Sequence, residues 1–275
     1  MIDAHLHLWD PGRHRYEWLL RPGNETINRA FTFEDFLARA TSAGVDRAVL
    51  VQADDHPADT EAMFEVAAAH AEIAGVVAWV PLDRPGEAAV ALDLLQALPK
   101  FAGIRNLIHD QPDPDWLLRP DVGEGLALLE RAGVPFDVVA VLPRHLEHVP
   151  VLSQRHPDLR MVLDHLSHPP MGETGWEPWR TLITNAAANP NVFAKVSGLY
   201  PSDSDAVRPF VEFAVELFGP GRLMFGSDWP VAELDGGYER VSGSLLGILG
   251  ELPDAARAAI LGETARAFYG LAPAT

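Results

Sequence analysis

Eight short runs of aliphatic and β-branched residues recur along the chain, each followed by a longer segment whose apolar residues fall at helical spacing. The runs are "IDAHLHL" (2–8), "RAVLVQ" (47–52), "AGVVAWV" (74–80), "AGIRNLI" (102–108), "PFDVVAV" (135–141), "RMVLDHL" (160–166), "NVFAKVSG" (191–198) and "RLMFGSD" (222–228). Most are continuously apolar, as strands covered on both faces are. Strand and helix alternating eight times implies a parallel sheet with crossover helices. A chain of 275 residues suits one closed (β/α)₈ TIM barrel. The expectation is a single domain, 1–275.

The competing architecture is an open doubly wound sheet, which advertises itself by a glycine-rich phosphate turn after its first strand. Here the first strand runs into "HLWDPGRHRYEWLL" with no such turn, so the barrel is preferred, with a long first loop over 9–31. Local signals agree with the helices: in "TFEDFLARATSAG", Thr32 stands as an N-cap with Asp35 three residues on, and Gly44 as the stop. A formal charge of −18 speaks against nucleic acid as a partner. The chain has no cysteine, so a metal site would draw on His, Asp or Glu. No apolar run approaches membrane-spanning length, and the first strand begins at residue 2, leaving no room for a signal peptide. The expected setting is cytoplasmic. The expected partners are a small-molecule substrate and, as a homodimer, a second copy of the chain.

In a parallel barrel, functional side chains gather at the C-terminal ends of the strands. The first strand offers Asp3, His5 and His7 on one face, because strand side chains alternate with period two. Further strand ends offer Gln52, Trp79, Arg105 or Asn106, Asp164 with His165, Lys195 with Ser197, and Asp228 with Trp229. His5, His7, His165 and Asp228 would then converge, and neutral imidazole with carboxylate is a ligand set for zinc or a similar divalent ion. An isolated His-x-His is weak by itself. It gains force because strand ends assigned from hydrophobicity bring His165 and Asp228 to the same place.

The stretches "IDAHLHLWD", "VLDHLSHP" and "FGSDWPV", in this order, resemble the amidohydrolase superfamily, and more narrowly its amidohydrolase-2 branch of sugar-lactone and pyrone-lactone hydrolases. "GIRNLIHDQPDPDWLLRPDVGEGLALLERAGVPFDVVA" and "NPNVFAKVSGL" match the same branch. The resemblance implies a distorted TIM barrel, His5 and His7 as strand-one metal ligands, His165 as the strand-six histidine, and Asp228 as the aspartate that activates water. No lysine ends the fourth strand to bridge two ions, so one divalent metal at most is implied, with zinc the first choice. The branch includes lactonases that work without any metal.

Opening a lactone needs a water, a base and a positive group at the carbonyl oxygen. The expected roles are Asp228 as base, with the metal or the histidine cluster of His5, His7 and His165 polarising the carbonyl. Arg105 is expected at the substrate or in an ion pair. Lys195 is expected at the substrate or neutralising Asp164 or Asp228. Trp79 and Trp229 are expected as an apolar wall for a sugar ring, or packed into the helical layer. His145, His148 and His156 are expected to face solvent, His70 to lie on the surface, His14 and His56 to sit in top-face loops, and His168 to brace its loop. Specificity is expected in loops 9–31, 53–60, 109–121 and 199–205. The leading reading is a hydrolase of a sugar-derived lactone. A metal-dependent decarboxylase of the same superfamily shares the ligand set, and a barrel that binds without turnover is the third reading.

Overall fold

A computed structural model describes residues 1–171, 175–200 and 203–273. Within loop 199–205, Pro201 and Ser202 lie outside the described residues. Eight parallel strands follow one another in chain order around a single sheet: β1 Ile2–Leu6, β2 Arg47–Val51, β3 Ile73–Ala78, β4 Phe101–Asn106, β5 Phe136–Val138, β6 Met161–Leu163, β7 Val192–Val196 and β8 Leu223–Phe225. Each expected run overlaps one of these strands, β3 and β4 beginning one residue before their runs, and the strands are shorter than the runs. Apolar residues continue into the loops, where the hydrogen-bond ladder has already stopped. The ring closes beyond β8, where His7 N donates to Trp229 O and Asp228 N donates to His5 O, each at 2.8 Å. This is the (β/α)₈ barrel.

The covering helices are α1 Phe33–Ala40, α2 Pro57–Ala69, α3 Pro85–Gln96, α4 Pro120–Ala132, α5 Pro143–Arg155, α6 Trp179–Ala187, α7 Ser204–Phe218 and α8 Tyr238–Gly250, followed by α9 Asp254–Ala258 and α10 Thr264–Tyr269. Thr32 and Asp35 cap each other's backbone N–H groups at the start of α1. The segment ends at Gly44, whose φ of +79° is the left-handed geometry glycine adopts without strain.

Alternation along the strands sorts the core into two parts. Leu50, Ile104, Phe136, Met161, Ala194 and Leu223 pack outward under the helices. Val49, Val51, Val77, Val162 and Met224 belong to a second cluster, which Ala265, Phe268, Tyr269 and Leu271 join from the C-terminal end. That end lies under the starts of the strands. Arg47 donates to Ala272 O, Arg160 to Phe268 O, and a Cβ on Gly75 would meet Leu271 Cδ2. α10 is the floor of the barrel, and the opposite end is left to the site.

Three histidines depart from the expected exposure. His145, His148 and His156 are buried at 2%, 1% and 7% exposure. The face of α5 that carries the first two packs on the loop after β4, where His148 Nε2 is 3.0 Å from Asp115 Oδ1. His156 Nδ1 lies 3.5 Å from Glu130 Oε2. His70 is half-buried, with its ring 4.8 Å from that of Phe33.

Candidate active site

His5 and His7 alternate along β1 and its extension, so both imidazoles enter the barrel mouth. Their Nε2 atoms are 3.1 Å apart. His7 Nδ1 lies 2.8 Å from the Val51 carbonyl, which can only accept, so His7 carries its proton there and presents a bare Nε2. His5 Nδ1 faces the Lys195 ammonium at 2.9 Å and Asp164 Oδ1 at 3.3 Å.

His165 and Asp228 enter through unusual backbone. Residues His165, Leu166, Ser167 and His168 all have positive φ, 54°, 49°, 56° and 52°, and Asp228 has 56°. For residues other than glycine this costs about 1–2 kcal/mol each. The left-handed turn swings the His165 ring back over the barrel, where Nδ1 meets Ser197 Oγ at 2.9 Å. Two glycines make the approach feasible. A Cβ on Gly198 would lie 2.4 Å from His165 Nδ1, and one on Gly226 would lie 2.6 Å from His5 Cβ.

Asp228 stands at the centre. Its Oδ1 is 3.3 Å from His7 Nε2, 3.6 Å from His5 Nε2 and 3.8 Å from His165 Nε2. Its Oδ2 accepts from the Tyr200 hydroxyl at 3.1 Å. Burial alone would raise the Asp228 carboxyl, but His165, His7 and His5 outweigh it and hold the group well below the usual carboxylate range. Burial pushes His5 and His165 down, His5 further because of Lys195. Asp228 is therefore ionised at neutral pH. Burial and the Asp228 charge push the Tyr200 phenol well up, so it remains a donor.

The donor set fits one divalent ion. Ligand atoms around a tetrahedral zinc are about 3.4 Å apart, given bonds of about 2.0–2.1 Å, and His5 Nε2, His7 Nε2 and Asp228 Oδ1 lie 3.1 to 3.6 Å from one another. Asp164 Oδ1, buried and 3.0 Å from the Lys195 ammonium, is also placed to take the Nδ1 proton that His5 carries when Nε2 binds a cation.

A cavity of 260 Å³ opens over Asp228, lined by His7, His165, Arg105, His109, Trp18 and Tyr200 among others. Arg105 lines it while giving Nε to Asp164 Oδ2 at 2.8 Å and Nη1 to the Gln52 carbonyl at 2.9 Å. Arg21 and Asp110, also on the lining, pair across the mouth at 2.9 Å. His168 lines the mouth too. Burial lowers His109 to about 4.

Lys195, Trp79 and Trp229, each expected either at the substrate or in a structural role, lie off the cavity lining. Lys195 is fully buried beneath His5, paired with Asp137 and Asp164, because an ammonium inside a closed barrel must meet carboxylates. Trp229 is also fully buried, its ring packed against Phe31 and Phe36, since the backbone turn that presents Asp228 sends the next side chain outward. Trp79 lines a neighbouring cleft with Asp55, Asn106 and Trp116. His14 and His56 stack on each other at 4.5 Å, outside the cavity lining. Asp137, Tyr200 and Tyr269 were not anticipated. A lone Asp and a lone Lys at inward positions of "PFDVVAV" and "NVFAKVSG" were a readable signal, because two such charges need each other.

The amidohydrolase family profile matches residues 2–271. The chain is 34% identical over 287 residues to an L-fucono-1,5-lactonase of Burkholderia ambifaria, covering 98% of this chain and 94% of that one. It is 31% identical over 288 residues to an L-fucono-1,5-lactonase of Burkholderia multivorans, covering 98% and 96%. Among solved structures it resembles an amidohydrolase from Burkholderia multivorans with bound zinc, at 29% identity and a TM-score of 0.87, covering 98% and 99%. The chain belongs to the amidohydrolase family.

Proposed function

We propose that this protein hydrolyses the cyclic ester of a sugar-derived lactone at Asp228. The observation that carries the reading is the placement of the Asp228 carboxylate. One oxygen faces three imidazoles, the other is held by Tyr200, and both lie beneath a small cavity. At 260 Å³ that cavity lies below the range of about 300–1,000 Å³ typical of larger ligands, and it suits a single sugar ring. Both lining arginines are already paired with aspartates, so the lining favours a neutral, hydroxyl-rich ring over a substrate that must bring its own carboxylates. The same balance disfavours the decarboxylase reading.

Asp228 takes a proton from a water poised over the lactone carbonyl as the water oxygen bonds to the carbonyl carbon. Imidazole N–H groups of the cluster hydrogen-bond the carbonyl oxygen as it gains charge. When the ring C–O bond breaks, Asp228 returns its proton to the leaving alkoxide, giving a hydroxy acid. His5, His7 and Asp228, with His165 beside them, would hold a divalent ion, zinc in our reading, which would supply Lewis-acid polarisation of the carbonyl and a lower pKa for water in place of the imidazole N–H donors.

The substrate is tested by pH-stat titration against five- and six-membered aldonolactones, with and without chelator, beside an assay for CO₂ release from carboxylated aromatics. Acid release from the lactones alone is expected. CO₂ release without acid from any lactone would replace this reading with the decarboxylase.

A further inference from the structure

The barrel floor contains a hydroxyl that packing does not require. Tyr269 on α10 sits with Ala265, Phe268, Val77, Val162 and Met224, a setting that phenylalanine would fill equally well. A buried hydroxyl is costly unless bonded. Here it donates to Asp137, with Oη 2.8 Å from Oδ2 and 3.0 Å from Oδ1. Asp137 Oδ2 also accepts from Lys195 Nζ at 2.5 Å. The same ammonium lies 2.9 Å from His5 Nδ1 and 3.0 Å from Asp164 Oδ1. Asp137, Lys195, Asp164 and His5 are all fully buried. A continuous polar line thus joins the floor to the catalytic end of the barrel.

An ammonium has protons to donate and no lone pair, so the His5 nitrogen facing it accepts, and the neutral ring carries its own proton on Nε2. That proton is directed toward His7 Nε2 at 3.1 Å and Asp228 Oδ1 at 3.6 Å. We propose that Tyr269 is a positioning residue for the lactonase reaction: by fixing Asp137 it holds the Lys195 ammonium against His5 Nδ1 and keeps the His5 proton on Nε2, directed at His7 Nε2 and the Asp228 carboxylate beneath the cavity. The proposal rests on the lactonase reading. Without the hydroxyl, Asp137 loses a donor and Lys195 can settle toward Asp164. His5 then turns an Nδ1 proton to Asp164 Oδ1, 3.3 Å away. His5 Nε2 becomes bare, no longer a donor to the catalytic cluster and a better ligand for a cation.

These consequences have opposite signs, which a purely structural contribution would not give. The experiment compares wild type with Tyr269→Phe. In chelator-treated enzyme, kcat is expected to fall about tenfold with KM unchanged. Zinc affinity, measured by competition with a chromophoric chelator, is expected to rise. Nitrogen-15 NMR of the metal-free wild type should find the His5 proton on Nε2, and the variant should lose that signature. A variant with wild-type kcat and zinc affinity, or one that loses both together, overturns the proposal. A metal-free wild type with the His5 proton on Nδ1 overturns it even if the variant does not fold. If wild type opens no lactone, the lactonase reading fails instead, while the NMR and zinc results still decide the role of Tyr269 at His5.

Discussion

Gly198 decides how tightly the reacting groups can gather. It has a φ of +54°, and a Cβ there would lie 2.4 Å from His165 Nδ1 and 2.9 Å from Asp228 Oδ2. Gly198→Ala should therefore separate the histidine from the base, lowering kcat by about 100-fold or more, since small displacements of reacting groups cost that much. Steady-state kinetics on a sugar lactone checks this, and a kcat within threefold of wild type would contradict it. At this scale the sequence was legible where a residue type has few other uses. His5, His7, His165 and Asp228 were grouped because strand ends assigned from hydrophobicity bring them to one end of the barrel, and the structure sets all three imidazoles within 3.8 Å of Asp228 Oδ1. Tyr200 and Tyr269 were not found, because a tyrosine is at home in any core and only its hydroxyl partner reveals a role. Lys195 was noticed, but its direction depended on Asp137, more than fifty residues away in the chain.

The strands were readable because a buried parallel sheet demands continuous apolar runs, and eight such runs can be counted. Their ends were less readable. The four-residue left-handed turn at His165–His168 contains no glycine, so local preference offered no hint of it. The loops around the mouth are tied by half-buried polar groups. Asp55, after β2, accepts from Leu107 N and Gln52 Nε2, both at 2.9 Å, and burial pushes its carboxyl up to about 7, against the pull of those donors and of Arg105. With its folded pKa above the unfolded value, the folded protein holds the extra proton, so stability declines as pH rises between about 4 and 7. Asp55→Asn removes that decline. Its Tm advantage over wild type is expected to be larger at pH 8 than at pH 5, and an advantage that shrinks with rising pH would contradict the assignment. The Arg21–Asp110 pair bridges two loops at the mouth with Arg21 half-exposed, so Arg21→Ala should raise KM only a few-fold and leave kcat alone.

Across the whole molecule, a buried balance of charge is set inside an acidic shell. Lys195 and Arg105 face Asp137 and Asp164 within the barrel, while the chain as a whole carries −18. Surface repulsion is screened by salt and the buried pairs are screened far less, so raising ionic strength should increase Tm, and a fall on adding salt would contradict this division. Among the described residues, no helix is long and apolar enough to cross a membrane. The barrel brings together groups from β1, β6, β7 and β8, with Asp228 at their meeting point. The most direct measurement is therefore lactone hydrolysis by Asp228→Asn, followed by pH-stat with the Tm recorded beside it. The account predicts a fold that melts near wild type and a kcat lower by about a thousandfold or more. An Asp228→Asn enzyme that opens lactones at close to the wild-type rate would contradict it.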